Sequence, residues 1–225
     1  FFFKQKPAYE IPLRLVGSEM CIRDRLKEVD LILAEDTRTT SRLLKEYDIS
    51  TKLKPYHLHN EHKLTGSIVD EIIEKNKSYA LVSDAGTPGI SDPGFLLIRE
   101  SIKKGLDVIA LPGSTAFVPA VLQSGFPTDT FIFEGFLPHK KGRQKKIIEI
   151  AQETRTVVLY ESPHRLLKLL NELGKNIHPE RKVSISRELT KKFEETTIGT
   201  IDKLLKKYNH QKPKGEFVVV VQGKN

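Results

Sequence analysis

From Leu26 onward, short apolar runs alternate with longer stretches in which apolar residues recur every three or four positions. The runs VDLILA (29–34), SYALVS (78–83) and DVIAL (107–111) are too short for helices and too apolar for strands with one wet face. They read as strands buried on both sides, the pattern of a parallel sheet. Between them lie helical stretches. Residues 37–47 have Asp36 or Thr37 as a cap and place Leu43 and Leu44 on one face. A second helix carries Ile68, Ile72 and Ile73, and a third runs 95–103 and stops at Gly105. A fourth spans 115–123 before Gly125 and Pro127, and 52–57 reads as a short strand. This alternation requires a parallel sheet flanked by helices, with right-handed connections.

A second set follows Pro127. Strands are expected at 130–133, 156–160, 183–187, 194–199 and 216–221, with helices at 144–152, 163–173 and 201–208. Helix content thins toward the end, which implies a mixed sheet, and the boundary between two α/β domains is placed near 125–129. The expected division is 26–125 and 126–225.

Residues 1–25 (FFFKQKPAYEIPLRLVGSEMCIRDR) sustain neither a strand nor a helix period, and charges interrupt any signal-peptide core. They resemble conceptual translation of adapter read-through, so native sequence is expected to start near Leu26.

Composition excludes several classes. No run approaches the ~20 apolar residues of a membrane span. Cys21 is the only cysteine, which rules out an internal disulfide framework or a zinc cluster built on several thiolates, and points to the cytosol. The net charge of +8 is uneven: residues 126–225 carry 20 basic and 12 acidic groups, whereas 26–125 carry 12 and 14. A basic half beside a slightly acidic one suggests an anionic partner for the former and a small molecule for the latter. A solvated Lys-rich surface would look the same by charge alone.

Ligands in parallel sheets sit at the carboxyl ends of strands. Three loops stand there: 83–94 (SDAGTPGISDPG), 111–116 (LPGSTA) and 160–165 (YESPHR). The first is rich in Gly and Pro, so a ligand can approach its backbone closely. The second places Pro112 and Gly113 just before a helix N-terminus, where backbone N–H groups are free. Nucleotide-binding loops of the G-x-x-x-x-G-K-[ST] and G-x-G-x-x-G types are absent after the strands, as is a G-x-S-x-G elbow. His57, His59 and His62 lack a thiolate or paired-carboxylate framework, so no metal is expected.

Seven ordered blocks, namely 34–39 (AEDTRT), 83–94, 111–127, 133–138 (FEGFLP), 160–166 (YESPHRL), 186–191 (SRELTK) and 215–221 (GEFVVVV), carry a resemblance. Together they resemble the ribosomal RNA small subunit methyltransferase I family, within the tetrapyrrole methylase superfamily. The resemblance implies two α/β domains, a parallel sheet in the first and a mixed sheet in the second, with the cofactor in the cleft between them, commonly as a cytoplasmic homodimer. It implies S-adenosylmethionine-dependent methyl transfer to the ribose 2′-hydroxyl of a cytidine in the decoding region of 16S rRNA. A small-molecule tetrapyrrole methylase or a non-catalytic RNA-binding fragment are the alternatives. Cofactor contacts carried over by motif are Gly86, Thr87, Ile90, Thr115, Ala116, Tyr160 and Glu161. The family's first strand and its P-T-P-I-G-N loop are not found before Leu26, so an inner strand of the first sheet is expected to be missing. The usual short extension beyond the last strand is also absent.

Moving a methyl group onto a hydroxyl calls for a positioned base. Asp36, Asp84, Glu161, His164 and Glu188 are the candidates on strand-end loops. Asp36 and Asp84 equally suit caps or turns, and Glu161 and Glu188 suit pairing with Arg165 or Arg187. The basic set Lys140, Lys141, Arg143, Lys145, Lys146, Arg165 and Lys191, with Arg155 and Lys192, is expected to hold rRNA phosphates, a solvated loop and helix face being the alternative.

Overall fold

The computed structural model describes residues 2–4, 18–210 and 212–224. Most of the reading of 1–25, including the absent P-T-P-I-G-N loop, lies outside these described residues. The chain divides into two compact units, residues 1–114 and 115–225.

In the first unit, β2 (Leu31–Ala34), β3 (Leu53–Pro55), β4 (Tyr79–Val82) and β5 (Asp107–Ile109) all point the same way. The sheet order is β3-β2-β4-β1-β5, where β1 is Phe2–Lys4. The expected gap is therefore filled: β1 pairs antiparallel with both β4 and β5. Backbone groups of two flanking strands demand partners, and even three residues of extended chain supply them. A helix, α1 (Ser18–Glu28), also crosses the point where native sequence was expected to begin.

Helices α2 (Thr37–Glu46), α3 (Glu61–Glu74) and α4 (Phe95–Lys103) cover this sheet. Alternate strand residues serve opposite faces. Leu33, Tyr79 and Leu81 pack with Ile68, Ile72 and Leu97, while Ile32 and Ala80 pack with Leu26, Leu44 and Ile49. Burial on both faces is why the strands read as unbroken apolar runs.

The second unit begins with α5 (Phe117–Ser124), which the sequence reading placed with the first half. Its Ala120 and Val121 pack against Val158, Val218 and Val220, apolar positions on one face of the second sheet. That sheet runs β6-β7-β10-β8-β9, from β6 (Phe131–Phe136), β7 (Thr156–Glu161), β8 (Lys182–Arg187), β9 (Glu195–Thr200) and β10 (Phe217–Val221). Only β6 and β7 are parallel neighbours; the other pairings are antiparallel, giving the expected mixed sheet. Its opposite face holds the larger core, where α6 (Arg143–Gln152), α7 (Leu166–Gly174) and α8 (Ile201–His210) meet Val157, Leu159, Val183 and Val219. Helix α7 starts at Leu166 and not at Pro163, because the Arg165 and Leu166 amides both donate to Ser162 O in a turn.

Candidate active site

The carboxyl ends of β2, β3, β4 and β5 share one edge of the first sheet, and hydrogen bonds knit their loops together. Tyr56 N donates to Ala34 O (2.8 Å), Asp84 N to Glu35 Oε2 (3.3 Å), and Thr87 Oγ1 to Ser114 O (3.2 Å). Loop 83–94 is folded on itself, with Gly89 N donating to Pro93 O (3.1 Å) and Ile90 N to Thr87 O (3.1 Å). Gly94 is where this folding requires glycine: its φ is 139°, and a Cβ there would lie 2.7 Å from Leu81 Cδ2 and 3.1 Å from Gly89 N. Its amide donates to Oε2 of Glu61 (3.4 Å), a buried carboxylate in the first turn of α3. Sequence reasoning missed Glu61, since an acidic residue opening a helix ordinarily faces solvent.

Gly86, in contrast, is exposed, and among the described residues only Ser114 O lies within reach of a Cβ built on it (3.9 Å). Its backbone is thus open to an approaching group. Asp36 caps α2, and its carboxylate takes bonds from Arg38 N (2.8 Å), Nε (3.1 Å) and Nη2 (2.7 Å). The guanidinium and amide of Arg38 lower its pKa to about 2. Asp84 is exposed.

In the second unit, the ends of β6, β7 and β8 and the starts of β9 and β10 share an edge, as the pairings Glu161↔Phe217 and Phe217↔Arg187 require. There Tyr160 packs edge-on against Phe133 (5.1 Å between centroids) and beside Phe136 (5.6 Å). Thr115 and Ala116 lead into α5, with Val118 N donating to Thr115 O.

Glu161 is 1% exposed and sits in a cage. Arg165 Nε approaches Oε1 at 2.9 Å, Ser162 N donates to Oε1 at 2.9 Å, and Arg143 Nη2 donates to Oε2 at 3.5 Å. Arg143 also pairs with Glu172 (2.7 Å) and donates to Pro138 O, while Arg165 donates to Leu137 O. These bonds tie the segment after β6 to loop 160–165. On the same edge Glu188 adopts a left-handed backbone (φ 49°). Its Oε1 accepts from Glu216 N (2.8 Å) and Lys191 Nζ (3.3 Å), and the Glu216 amide together with Lys191 lowers its pKa. Gly215 makes room: a Cβ there would fall 2.5 Å from Glu188 Cγ.

A family model described as tetrapyrrole (corrin/porphyrin) methylases matches residues 22–205. A Synechocystis protein named ribosomal RNA small subunit methyltransferase I is 44% identical over 201 residues, covering 89% of this chain and 72% of its own length. Proteins of the same name from Halalkalibacterium halodurans and Thermotoga maritima are 46% and 43% identical over 199 residues each. The alignments cover 88% of this chain in each case, with 68% and 89% of the respective relatives. The chain belongs to the ribosomal RNA small subunit methyltransferase I family of tetrapyrrole methylases. Among solved structures, the methyltransferase CobJ has a TM-score of 0.64 at 18% identity, covering 91% of this chain and 87% of its own. A cobalt precorrin-4 methyltransferase has a TM-score of 0.60 at 16%, covering 89% and 86%. At such identities these show the fold.

Against the family expectation, several residues take other places. Arg143 is 3% exposed and satisfied by two carboxylates, so it is no phosphate contact; burial corrects that expectation. Arg165 is largely buried and bound to Glu161. Glu161, enclosed by both guanidinium groups, has no open face toward a substrate hydroxyl. Lys146 pairs with Glu134 (3.0 Å) and Glu149 (3.3 Å), and its pKa is raised, chiefly by Glu134. Lys191 bridges Glu216 (3.0 Å) and Glu188 (3.3 Å), and Glu216 raises its pKa most. Lys140, Lys141 and Lys145 remain exposed, as does His164. The second unit's 470 Å³ cavity, lined by Arg181, His178 and Lys224 among others, opens at the far end of β10 from these loops.

Proposed function

We propose that this protein transfers a methyl group from S-adenosylmethionine to the ribose 2′-hydroxyl of a cytidine in the decoding region of 16S rRNA. The observation that carries the reading is the identity of 43–46% to proteins named ribosomal RNA small subunit methyltransferase I over about nine-tenths of this chain. A corrin or porphyrin substrate is named by the general description of the family model and by solved structures at 16–18% identity, the latter speaking to the fold alone.

The first unit's residues fit the cofactor. The folded 83–94 loop holds an exposed Gly86 whose missing Cβ leaves backbone within reach, and the exposed face of Ile90 offers apolar contact. Gly86, Thr87 and Ile90 would hold the donor there. The assignments of Thr115, Ala116, Tyr160 and Glu161 in the second unit rest on the family motif. When bound, S-adenosylmethionine supplies an electrophilic methyl on its sulfonium, so the protein's work is alignment of donor and acceptor.

A base must take the hydroxyl proton. With Asp36 committed to Arg38 and Glu161 caged, Asp84 and His164 are the exposed candidates, and Glu188 is the weaker one because its charged form is already stabilised by Glu216 N and Lys191. Lys140, Lys141 and Lys145 would hold phosphates. The same reading includes a cytoplasmic homodimer; no helix among the described residues is long and apolar enough to cross a membrane.

A ribose-methylation map of 16S rRNA from cells lacking the gene tests the proposal. Loss of one decoding-region mark, restored by the wild-type gene, is the expected result. An unchanged map overturns it. Complementation with Asp84→Asn and His164→Ala then separates the two bases.

A further inference from the structure

The connection between β8 and β9, residues 188–194, is held far more firmly than a surface turn requires. Glu188 and Thr190 both have left-handed backbones (φ 49° and 66°), a conformation side chains other than glycine adopt at a cost. Lys191 N donates to Glu188 O (2.9 Å), Glu194 N to Lys191 O (3.0 Å), and Thr190 N to Glu194 Oε2 (2.6 Å). From outside, Gln123 Nε2 donates to Glu194 Oε1 (3.1 Å), and Lys191 Nζ bridges Glu188 and Glu216. Leu189 anchors the turn against the core formed by α5 and the sheet.

This rigid turn nevertheless turns an aromatic ring outward. Phe193 is 62% exposed, with Lys192 Nζ 5.8 Å from its centroid. The turn stands at the edge of the second sheet that also carries loop 160–165, since Glu161 and Arg187 both pair with Phe217. It also lies in the half of the chain that carries the excess of basic residues. A fixed aromatic face with an ammonium beside it matches a base's π-face and its neighbouring phosphate. Lys191 is committed to Glu188 and Glu216, so it is Lys192, exposed beside the ring, that favours a phosphate over an apolar protein surface.

We propose that Phe193, flanked by Lys192, is a stacking platform for an unpaired nucleobase of the RNA substrate. This rests on the RNA reading above and adds the residue that grips a base. Stacking tolerates any base, so the platform serves RNA capture and not the choice of target nucleotide.

The chain contains no tryptophan, so Phe193→Trp places a single indole emitter on the turn. The probe is a fluorescein-labelled RNA with the sequence of the 16S decoding region; its anisotropy reports binding while indole emission reports stacking. Emission is expected to fall with the same midpoint as the anisotropy rises. Phe193→Ala and Phe193→Leu should weaken RNA binding roughly 5- to 150-fold and raise KM for RNA with little change in kcat. Phe193→Tyr should rescue, and thermal midpoint and S-adenosylmethionine affinity should stay at wild-type values. RNA binding with unchanged indole emission and a wild-type-like Phe193→Ala overturns the platform while leaving the RNA reading intact. Equal affinity of the Leu and Tyr variants, or a lowered midpoint in Phe193→Ala, also overturns it. Failure of the wild-type protein to bind the probe at all removes both.

Discussion

The two units fix their signature loops by opposite means. Loop 83–94 of the first unit is shaped by backbone: left-handed glycines, internal N–H···O bonds and one buried carboxylate, Glu61, receiving the Gly94 amide. Loop 160–165 of the second unit is shaped by charge, with Glu161 gripped by Arg143 and Arg165. A loop of the first kind keeps its backbone accessible and suits a ligand that comes close. A loop of the second kind gives up its charged groups to architecture, so whatever it offers a substrate comes from its exposed members, such as His164. Charge near a functional edge is therefore poor evidence of a contact until its partners are known.

The sharpest way to break this comparison is to remove one member of the cage. Arg143→Ala leaves the buried Glu161 with one guanidinium fewer, and should destabilise the protein by about 3–5 kcal/mol in chemical denaturation. A loss below about 1 kcal/mol would show that the cage does not hold the loop. The corresponding change in the first unit is Gly94→Ala, which combines a disfavoured φ with a 2.7 Å approach to Leu81. About 1–3 kcal/mol of destabilisation is expected, together with weakened S-adenosylmethionine binding by calorimetry. Wild-type donor affinity in a folded Gly94→Ala variant would argue against donor binding by this loop.

Replacing Lys140, Lys141 and Lys145 with Gln together should flatten the salt dependence of RNA binding by a slope of about 2, at roughly 0.7 for each phosphate no longer neutralised. Donor affinity should not move, and an unchanged slope would place the RNA elsewhere. Arg143 has no part in that set, because it never meets solvent.

A smaller effect comes from burial in both units. Tyr56 and Tyr79 in the first and Tyr208 in the second have pKa values raised by burial to about 12. Because their folded values lie above the ordinary 10.0, their contribution to stability is intact below pH 10 and is lost as pH climbs toward 12. Phenolate absorbance should show these three ionising late and together with unfolding. Smallest is the acid limb. Asp36 and Glu153 are depressed to about 2 by hydrogen bonds from Arg38 and Arg155. Their stabilisation is present above their ordinary values of 3.8 and 4.5 and fades as pH falls toward 2. Asp36→Asn, which keeps an oxygen to cap α2 but loses the charge that Arg38 stabilises, should flatten the acid limb slightly and lower the neutral-pH midpoint by as small an amount.

Much of the fold could be read locally. The run 29–34 became β2, the helix over 95–103 is α4 to the residue, and 216–221 contains β10. Each is set by the spacing of its own apolar residues and by neighbours such as Gly105. The candidate site was less legible. Loop 83–94 stood out by its Gly and Pro content, yet the carboxylate that holds it lies 33 residues earlier in the chain. Phe193 carries no periodicity, and its exposure follows from a turn stabilised by Gln123 and Glu216. Helix α1 was missed because charged residues break up its apolar pattern.

The sequence alone determined the order of elements, the parallel character of β2–β5, the mixed character of the second sheet and the family. The family came from the resemblance of seven motif blocks; the rest follow from periods of two and 3.6 residues and from turn residues, interactions within a few positions of one another. Tertiary structure decided which charges face water, which sheet α5 packs against, and what fills the place between β4 and β5. Such outcomes depend on register between segments distant in sequence. Arg143 reads like its lysine neighbours until β7 and α7 bring Glu161 and Glu172 to it; only then does desolvation make a buried brace of one basic residue while Lys140 and Lys141 stay in solvent.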